Sequence, residues 1–228
     1  MDRDGNLVIE VFGEGRTDVG RYDDVCPPTN GVVPILTHKL CGKPKRMLVK
    51  RRAYAMLQQG KGRWQKVRFA KRQAYYHKTT DGVVFVLDSE GDQNKLERTR
   101  QDLEKGRDAD DLSIPMAVGV AHPCIESWLL ADATAIRRGL ELDKSPEVPE
   151  NPESLPAPCM DRDRDRNPKT VLVRAAGSTK KELSVSQKDK IATAINDLDL
   201  VRQRCPAGFG PFADEVRRHI RPLCETEA

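Results

Sequence analysis

Long apolar runs are missing from this 228-residue chain: no stretch of about 18 such residues occurs, which excludes a membrane-spanning helix. The opening "MDRDGNLVIEV" carries acids and lacks an apolar signal core, so a cytoplasmic protein is expected. Aromatic residues are scarce, at 5% against 32% charged residues, which suits a soluble globular chain with a modest core. The six cysteines, at 26, 41, 124, 159, 205 and 224, include no CxxC pair, so reduced thiols are expected rather than a disulfide framework. His38 and Cys41 in "HKLC" find no second pair at zinc-site spacing. Glycine-rich phosphate loops are also missing: Gly13, Gly15 and Gly20 do not make GxGxxG, and no Lys-Ser or Lys-Thr pair follows as in a P-loop.

The most informative absence is of acid. Residues 26–80 hold 14 Lys or Arg and no Asp or Glu, leaving 25 basic against 35 acidic residues elsewhere. One reading is a solvated pair of helices. The other is a surface for a phosphate-rich partner, favoured because so long an acid-free stretch is hard to obtain in an acidic remainder. The candidate contacts are Lys43, Lys45, Arg46, Lys50, Arg51, Arg52, Arg63, Lys66, Arg68, Lys71 and Arg72.

What is present reads as alternating strands and helices. "NLVIEVFGEG" (6–15) predicts a first strand, and "RTDVGRYDDV" opens a helix that Thr17 or Asp18 can cap. Met47, Leu48, Tyr54, Ala55 and Leu57 predict an amphipathic helix over 44–59, broken by "QGKG", with a second helix over 64–76. "GVVFVLD" (82–88) lacks polar alternation, as a strand covered on both faces does. A polar helix (93–105), a third strand (112–121) and a helix over 122–140 follow. Six of the 15 prolines fall in 143–168, which reads as a loop ending in the solvated "DRDRDRNPK", and the tail reads as helical, its last helix over 209–220. The alternation predicts an α/β sandwich with a mostly parallel sheet flanked by helices, plus a helical C-terminal extension. The division expected is 1–142 as a catalytic domain with a basic helical insertion (about 26–80), and 143–228 as linker and helices packed on the same domain.

Two of these strands end in acids. In an open parallel sheet, ligands gather outside the carboxyl ends of the strands. The first strand ends at Glu14, four residues before Asp18; the second ends at Asp88, followed by Glu90 and Asp92. If the strands are neighbours, five carboxylates converge, and their repulsion is relieved by a hard divalent ion, Mg²⁺ or Mn²⁺. The plain alternative for "DSEGD" is a surface turn. No twelve-residue EF-hand loop fits over Asp88.

"EGRTD" after one strand and "LDSEGD" after a later one resemble the Toprim domain of topoisomerases, bacterial primases, ribosomal-RNA maturases and the overcoming-lysogenization-defect (OLD) nucleases. "HPCIESWLLAD" (122–132), "NPKTVL" (167–172) and "RQRCPAGFGPFADEV" (202–216) resemble the later blocks of a Toprim-like bacterial family related to OLD nucleases. The resemblance implies a Rossmann-like Toprim sandwich and metal-dependent nuclease chemistry on DNA or RNA. Within it, Glu14 is the general acid–base or metal ligand, Asp18 the second acid, and Asp88 the first acid of a DxD whose second place is taken by Glu90. Asp92 compensates for that departure. Glu126 either joins the acidic rim or merely begins a helix packed through Trp128 and Leu129. Lys169 either meets a scissile phosphate or is structural. The relatives are often paired with ABC-type ATPases in anti-phage defence; this chain has no Walker motif, so such a partner would act in trans. A homo-oligomer is compatible with the resemblance. Topoisomerase and primase activities are not expected, since no separate tyrosine-bearing, zinc-binding or helicase-docking region is present. The alternatives are a non-catalytic Toprim-like nucleic-acid-binding or regulatory subunit of an ATPase complex, or a plain Rossmann-like nucleotide binder.

Overall fold

The structure, a computed structural model, describes residues 5–19, 25–53, 57, 62–78, 80–158 and 165–225. Strand β1 (Leu7–Gly13) leads into a short helix, α1 (Arg16–Val19), and then a two-residue strand, β2 (Val25–Cys26). Helix α2 (Val32–Leu40), strand β3 (Met47–Ala53), helix α3 (Arg63–His77), strand β4 (Gly82–Asp88), helix α4 (Gln93–Asp108) and strand β5 (Met116–Ala121) follow in alternation. The sheet order is β2-β3-β1-β4-β5; β3, β1, β4 and β5 run parallel, and β2 pairs antiparallel with β3. The chain therefore winds from β1 one way to β3, then crosses to β4 and β5 on the other side. The switch in winding falls between β1 and β4.

The remaining elements are α5 (Glu126–Leu130), α6 (Ala133–Leu140), a single 3₁₀ turn (Pro152–Ser154), α7 (Pro168–Ala175), α8 (Val185–Ala194), α9 (Leu198–Arg204), α10 (Phe209–His219) and α11 (Arg221–Glu225). Strand side chains alternate between two cores. Ile9, Val11, Met47, Val49, Val84 and Val86 pack on one face with α2, α5, α6 and the tail helices. Phe12, Val83, Phe85 and Leu87 pack on the other, under Val67, Ala70 and Ala74 of α3 and Leu96 and Leu103 of α4. Trp128 stacks on Phe212 (5.1 Å) and meets Phe209 edge-on (5.3 Å), which fixes α5 to α10. Each such buried side chain contributes about 1.5–3 kcal/mol.

The α/β architecture with its mostly parallel sheet is as the sequence predicts. The helix over 44–59 is not: residues 47–53 form β3. Their burial alternates with period two, Met47, Val49, Arg51 and Ala53 facing one core. Arg51 in that inward row is fully buried, its guanidinium donating to the Pro27 carbonyl at 3.1 Å. The basic residues disguise a strand as one face of a helix. Tyr54, Ala55, residues 59–61 of the "QGKG" break (59–62), Cys159 and Asp161 to Arg164 of the "DRDRDR" run lie outside the described residues.

Two other boundaries move. The third strand starts at Met116, because Pro115 lends only its carbonyl, to Val83 N–H (2.9 Å), and has no N–H for the ladder. The helix over 122–140 is two helices, α6 being restarted by Asp132, whose side chain accepts from Ala135 N–H at 2.9 Å. No disulfide joins Cys41, Cys124, Cys205 or Cys224. Among the described residues no helix is long and apolar enough to cross a membrane.

Candidate functional site

Glu14 follows β1 directly, and α1 folds back over that strand end. A Cβ on Gly13 would lie 2.7 Å from Val19 Cγ1 and 3.0 Å from Asp18 Cβ, so only glycine admits this close turn. Asp18 is 8% exposed, and its Oδ2 accepts from Gly15 N–H at 2.9 Å. The neighbouring strand β4 delivers Asp88, whose Oδ1 accepts from Ile125 N–H at 3.0 Å. Further hydrogen bonds stitch the loops after β4 and β5 together: Ser89 N–H to Ala121 O and Glu90 N–H to Pro123 O, both 2.9 Å, and Ser89 Oγ to His122 Nδ1, 2.8 Å. Glu14 itself accepts from the Asp88 backbone N–H. The carboxyl ends of β1, β4 and β5 thus form one rim at the switch point, where ligands of open α/β sheets bind.

The carboxyl groups there feel one another. Burial first, then Glu90 and Asp18, push Glu14 up to about 7, against the pull of Arg63. Burial first, then Glu126, push Asp18 up to about 6, while Gly15 N–H, Lys188 and Lys169 restrain it. Asp88 is raised well above the carboxylate range by burial and by Asp18, Glu126 and Glu14. Glu126 differs. Burial works to raise it, but Lys188 and Lys169 bring it below the usual value. Lys188 Nζ donates to Glu126 Oε1 at 2.6 Å. Glu126 Oε2 is buried with no oxygen or nitrogen donor among the described residues, beside the weak donor of the Cys124 thiol. Lys169 is held above its ordinary value: burial opposes this, and Glu126, Cys124 and Asp88 outweigh it.

Glu14, Asp18, Asp88 and Glu126 therefore share one electrostatic neighbourhood, with Glu90 exposed at its edge in a left-handed backbone conformation (φ 48°). Asp92 does not join them. Its carboxylate caps α4, accepting from Lys95 N–H at 3.0 Å, and it lies toward His122. Sequence reasoning misses Lys188 and Glu153. Lys188 interrupts the apolar stripe Val185, Ile191, Ala192 and Ile195, a readable signal. Glu153 leaves none: it sits in a proline-rich loop, yet it is 5% exposed and caps α10 by accepting from Ala207 and Gly208 N–H, both at 2.7 Å. Burial pushes it up to about 7 against those bonds.

The donor set suits a hard divalent ion, being oxygen alone with acid in excess of base. Among the described residues no three His, Cys, Asp or Glu side chains already close around a cation. An ion would have to draw in the partly exposed Glu14.

The basic residues divide. Arg51 is buried; Lys50 (3.9 Å) and Arg52 (3.1 Å) pair with Glu10; Arg68 bonds Asp110 twice, at 2.9 and 2.8 Å. Lys71 is buried and donates to the Arg107 and Asp110 carbonyls at 2.7 and 3.0 Å. Arg51 and Lys71 are thus buried in the fold, correcting the expectation that they face a nucleic acid; Lys50, Arg52 and Arg68 are partly committed to ion pairs, the last two with side chains 25% and 38% exposed. Arg63 stands beside Glu14, and Lys66 is partly exposed. Lys43, Lys45, Arg46 and Arg72 are exposed, the first three before the amino end of β3, at the sheet edge away from the acids.

Fold and rim together define an α/β protein with acids gathered at the switch point of a doubly wound sheet. The chain belongs to the family described as Domain of unknown function (DUF4276), whose model matches residues 14–217. No curated protein and no solved structure matches it.

Proposed function

We propose that the chain is a Toprim-type, Mg²⁺- or Mn²⁺-dependent nuclease acting on DNA or RNA in the cytoplasm, in anti-phage defence beside an ABC-type ATPase. The observation that carries this reading is the convergence of Glu14, Asp18 and Asp88 at the carboxyl ends of two neighbouring strands, with raised carboxyl pKa values. Glu14, Asp18, Asp88 and Glu126 would hold the ion, with Glu90 at the edge. A bound ion of this kind supplies a more acidic water and counter-charge for the phosphoryl oxygens. Glu14, the most accessible of the buried-rim acids, would take the proton of the attacking water at its carboxylate. Lys188 keeps Glu126 ionised and oriented. Lys169 presents a cation to the phosphate, and Arg63 adds a second at the rim.

The test is plasmid nicking and RNA degradation with Mg²⁺ or Mn²⁺. Glu14→Gln is expected to lower the rate by more than about a hundredfold, the scale of a lost general base; equal rates for wild type and variant reject the reading. The open geometry of the acids favours one rival, a non-catalytic nucleic-acid-binding or regulatory subunit of an ATPase complex. That rival predicts binding of nucleic acid without hydrolysis, alone or with the ATPase.

A further inference from the structure

A cavity of about 720 Å³ lies between α6 and α8, lined by residues that include Arg138, Glu141, Asp189 and Lys190 of mixed charge, and none of the rim acids line it. A second, about 440 Å³, shares a wall with the rim. That wall is the loop 89–92: Glu90 acts on Glu14 at one side, while Gly91 and Asp92 line the cavity at the other. Gly91 and Asp92 follow Glu90 directly in the chain, so the cavity wall begins within about 7 Å of the Glu90 backbone. His122 joins the two compartments, lining the cavity while its Nδ1 shares a hydrogen bond with Ser89 Oγ.

The chemistry of the cavity selects against phosphate. The amino terminus of α10 points here, a place that would ordinarily attract an anion. Glu153 already fills that role, both its oxygens accepting from the Ala207, Gly208 and Phe209 N–H groups. A Cβ on Gly208 would lie 2.7 Å from Glu153 Oε1 and 2.8 Å from Val120 O, so this capped arrangement is tightly built. Asp92 adds a further negative charge at the mouth. What remains is apolar wall from Pro156, Pro206 and Ala207, and polar edge from Gln93, Asn151 and His122. Asn151 Oδ1 accepts from Glu153 N–H at 3.2 Å, which leaves its amide N–H₂ to donate. Flat apolar walls with a few convergent donors and acceptors suit a neutral, planar, hydrogen-bonding ring.

We propose that this cavity binds the nucleobase adjoining the phosphate that lies on the acidic rim. The inference rests on the nuclease reading for the position of that phosphate, and it names the part of the substrate the protein grips. The ligand class is a nucleotide, free or at the end of a strand, with its base seated between Pro156 and Pro206.

The test measures binding with Mg²⁺ present to carry the phosphate's charge, using mononucleotides that hold no phosphodiester bond to cleave, so it stands apart from any failure of hydrolysis. AMP, GMP, CMP and UMP are titrated by calorimetry beside ribose 5-phosphate, which has the same phosphate and sugar and no base. At least one mononucleotide is expected to bind tenfold or more tightly than ribose 5-phosphate. Ser154→Trp and Gln93→Trp, at exposed positions on different elements of the lining, are expected to remove that advantage while circular dichroism and thermal melting remain those of the wild type. Ribose 5-phosphate binding as tightly as all four nucleotides overturns the proposal. So does an advantage that survives in both folded variants. Loss of nuclease activity in Glu14→Gln together with failed base discrimination leaves the nuclease reading standing and rejects the cavity.

Discussion

Lys188 Nζ lies 2.6 Å from Glu126 Oε1 with both side chains sealed from solvent, so the tail helix α8 carries the counter-charge of the first residue of α5. Breaking a buried pair from one side strands a charge and costs about 3–5 kcal/mol. Lys188→Met is therefore expected to lower the melting temperature by about 10 °C, at roughly 2–4 °C per kcal/mol for a chain of this size. Adding Glu126→Gln should recover most of the loss, and a double-mutant cycle by thermal melting measures it. A single variant that melts with the wild type refutes the pair's structural weight.

Asp88 gives the opposite sign. A carboxyl whose folded pKa is raised adds stability that is present at low pH and lost as the pH climbs. Asp88→Asn keeps an oxygen for Ile125 N–H and removes the charge. In metal-free buffer it is expected to stabilise the protein at pH 8 and to do so by less at pH 4, near the unfolded carboxyl's own pKa. Equal melting shifts at the two pH values would rule this out.

Cation binding must displace protons from the same acids. With Glu14 at about 7 and Asp18 at about 6, Mn²⁺ affinity is expected to rise steeply from pH 5.5 to 7.5 and to level off above pH 8. Calorimetry in buffers of different ionisation enthalpy counts the protons released. In Asp88→Asn the affinity should fall at every pH. A flat profile contradicts the placement of the ion among these groups.

The exposed trio Lys43, Lys45 and Arg46 stands a strand's length from the acids, about 20 Å for the seven residues of β3. Replacing all three with alanine is expected to lower the slope of log affinity against log salt by about 2–3, each lost phosphate contact contributing roughly 0.9 on duplex. Oligonucleotides too short to bridge rim and trio, below about six nucleotides at ~3.4 Å each, should be insensitive to the change. Arg51→Met should destabilise the fold and leave the salt slope alone, because Arg51 is buried against the Pro27 carbonyl.

The sequence makes β1 and β4 legible because β1 is apolar but for Glu10 and β4 is apolar up to its last residue, and further acids stand where each run stops. The rim then needs only that the two strands be neighbours, and the parallel pairing of Ile9 with Gly82 through Phe12 with Phe85 makes them so. Strand β3 was illegible because Lys50, Arg51 and Arg52 break the apolar alternation, and an inward arginine satisfied by a carbonyl leaves no trace in composition. Asp110, far along the chain, pairs with Arg68, and local charge counting cannot see it. Lys188 and Glu153 reach their partners across 62 and about 55 residues, beyond any local pattern.

One hydrophobic core runs from Leu7 in the first strand to Ile220 at the end of α10, with Trp128 clasped between them by Phe209 and Phe212. A fragment trimmed to the sheet and its first helices would bare that indole and strip the rim of Lys169 and Lys188 together. Engineers seeking a minimal version should expect precipitation instead of a smaller folded protein.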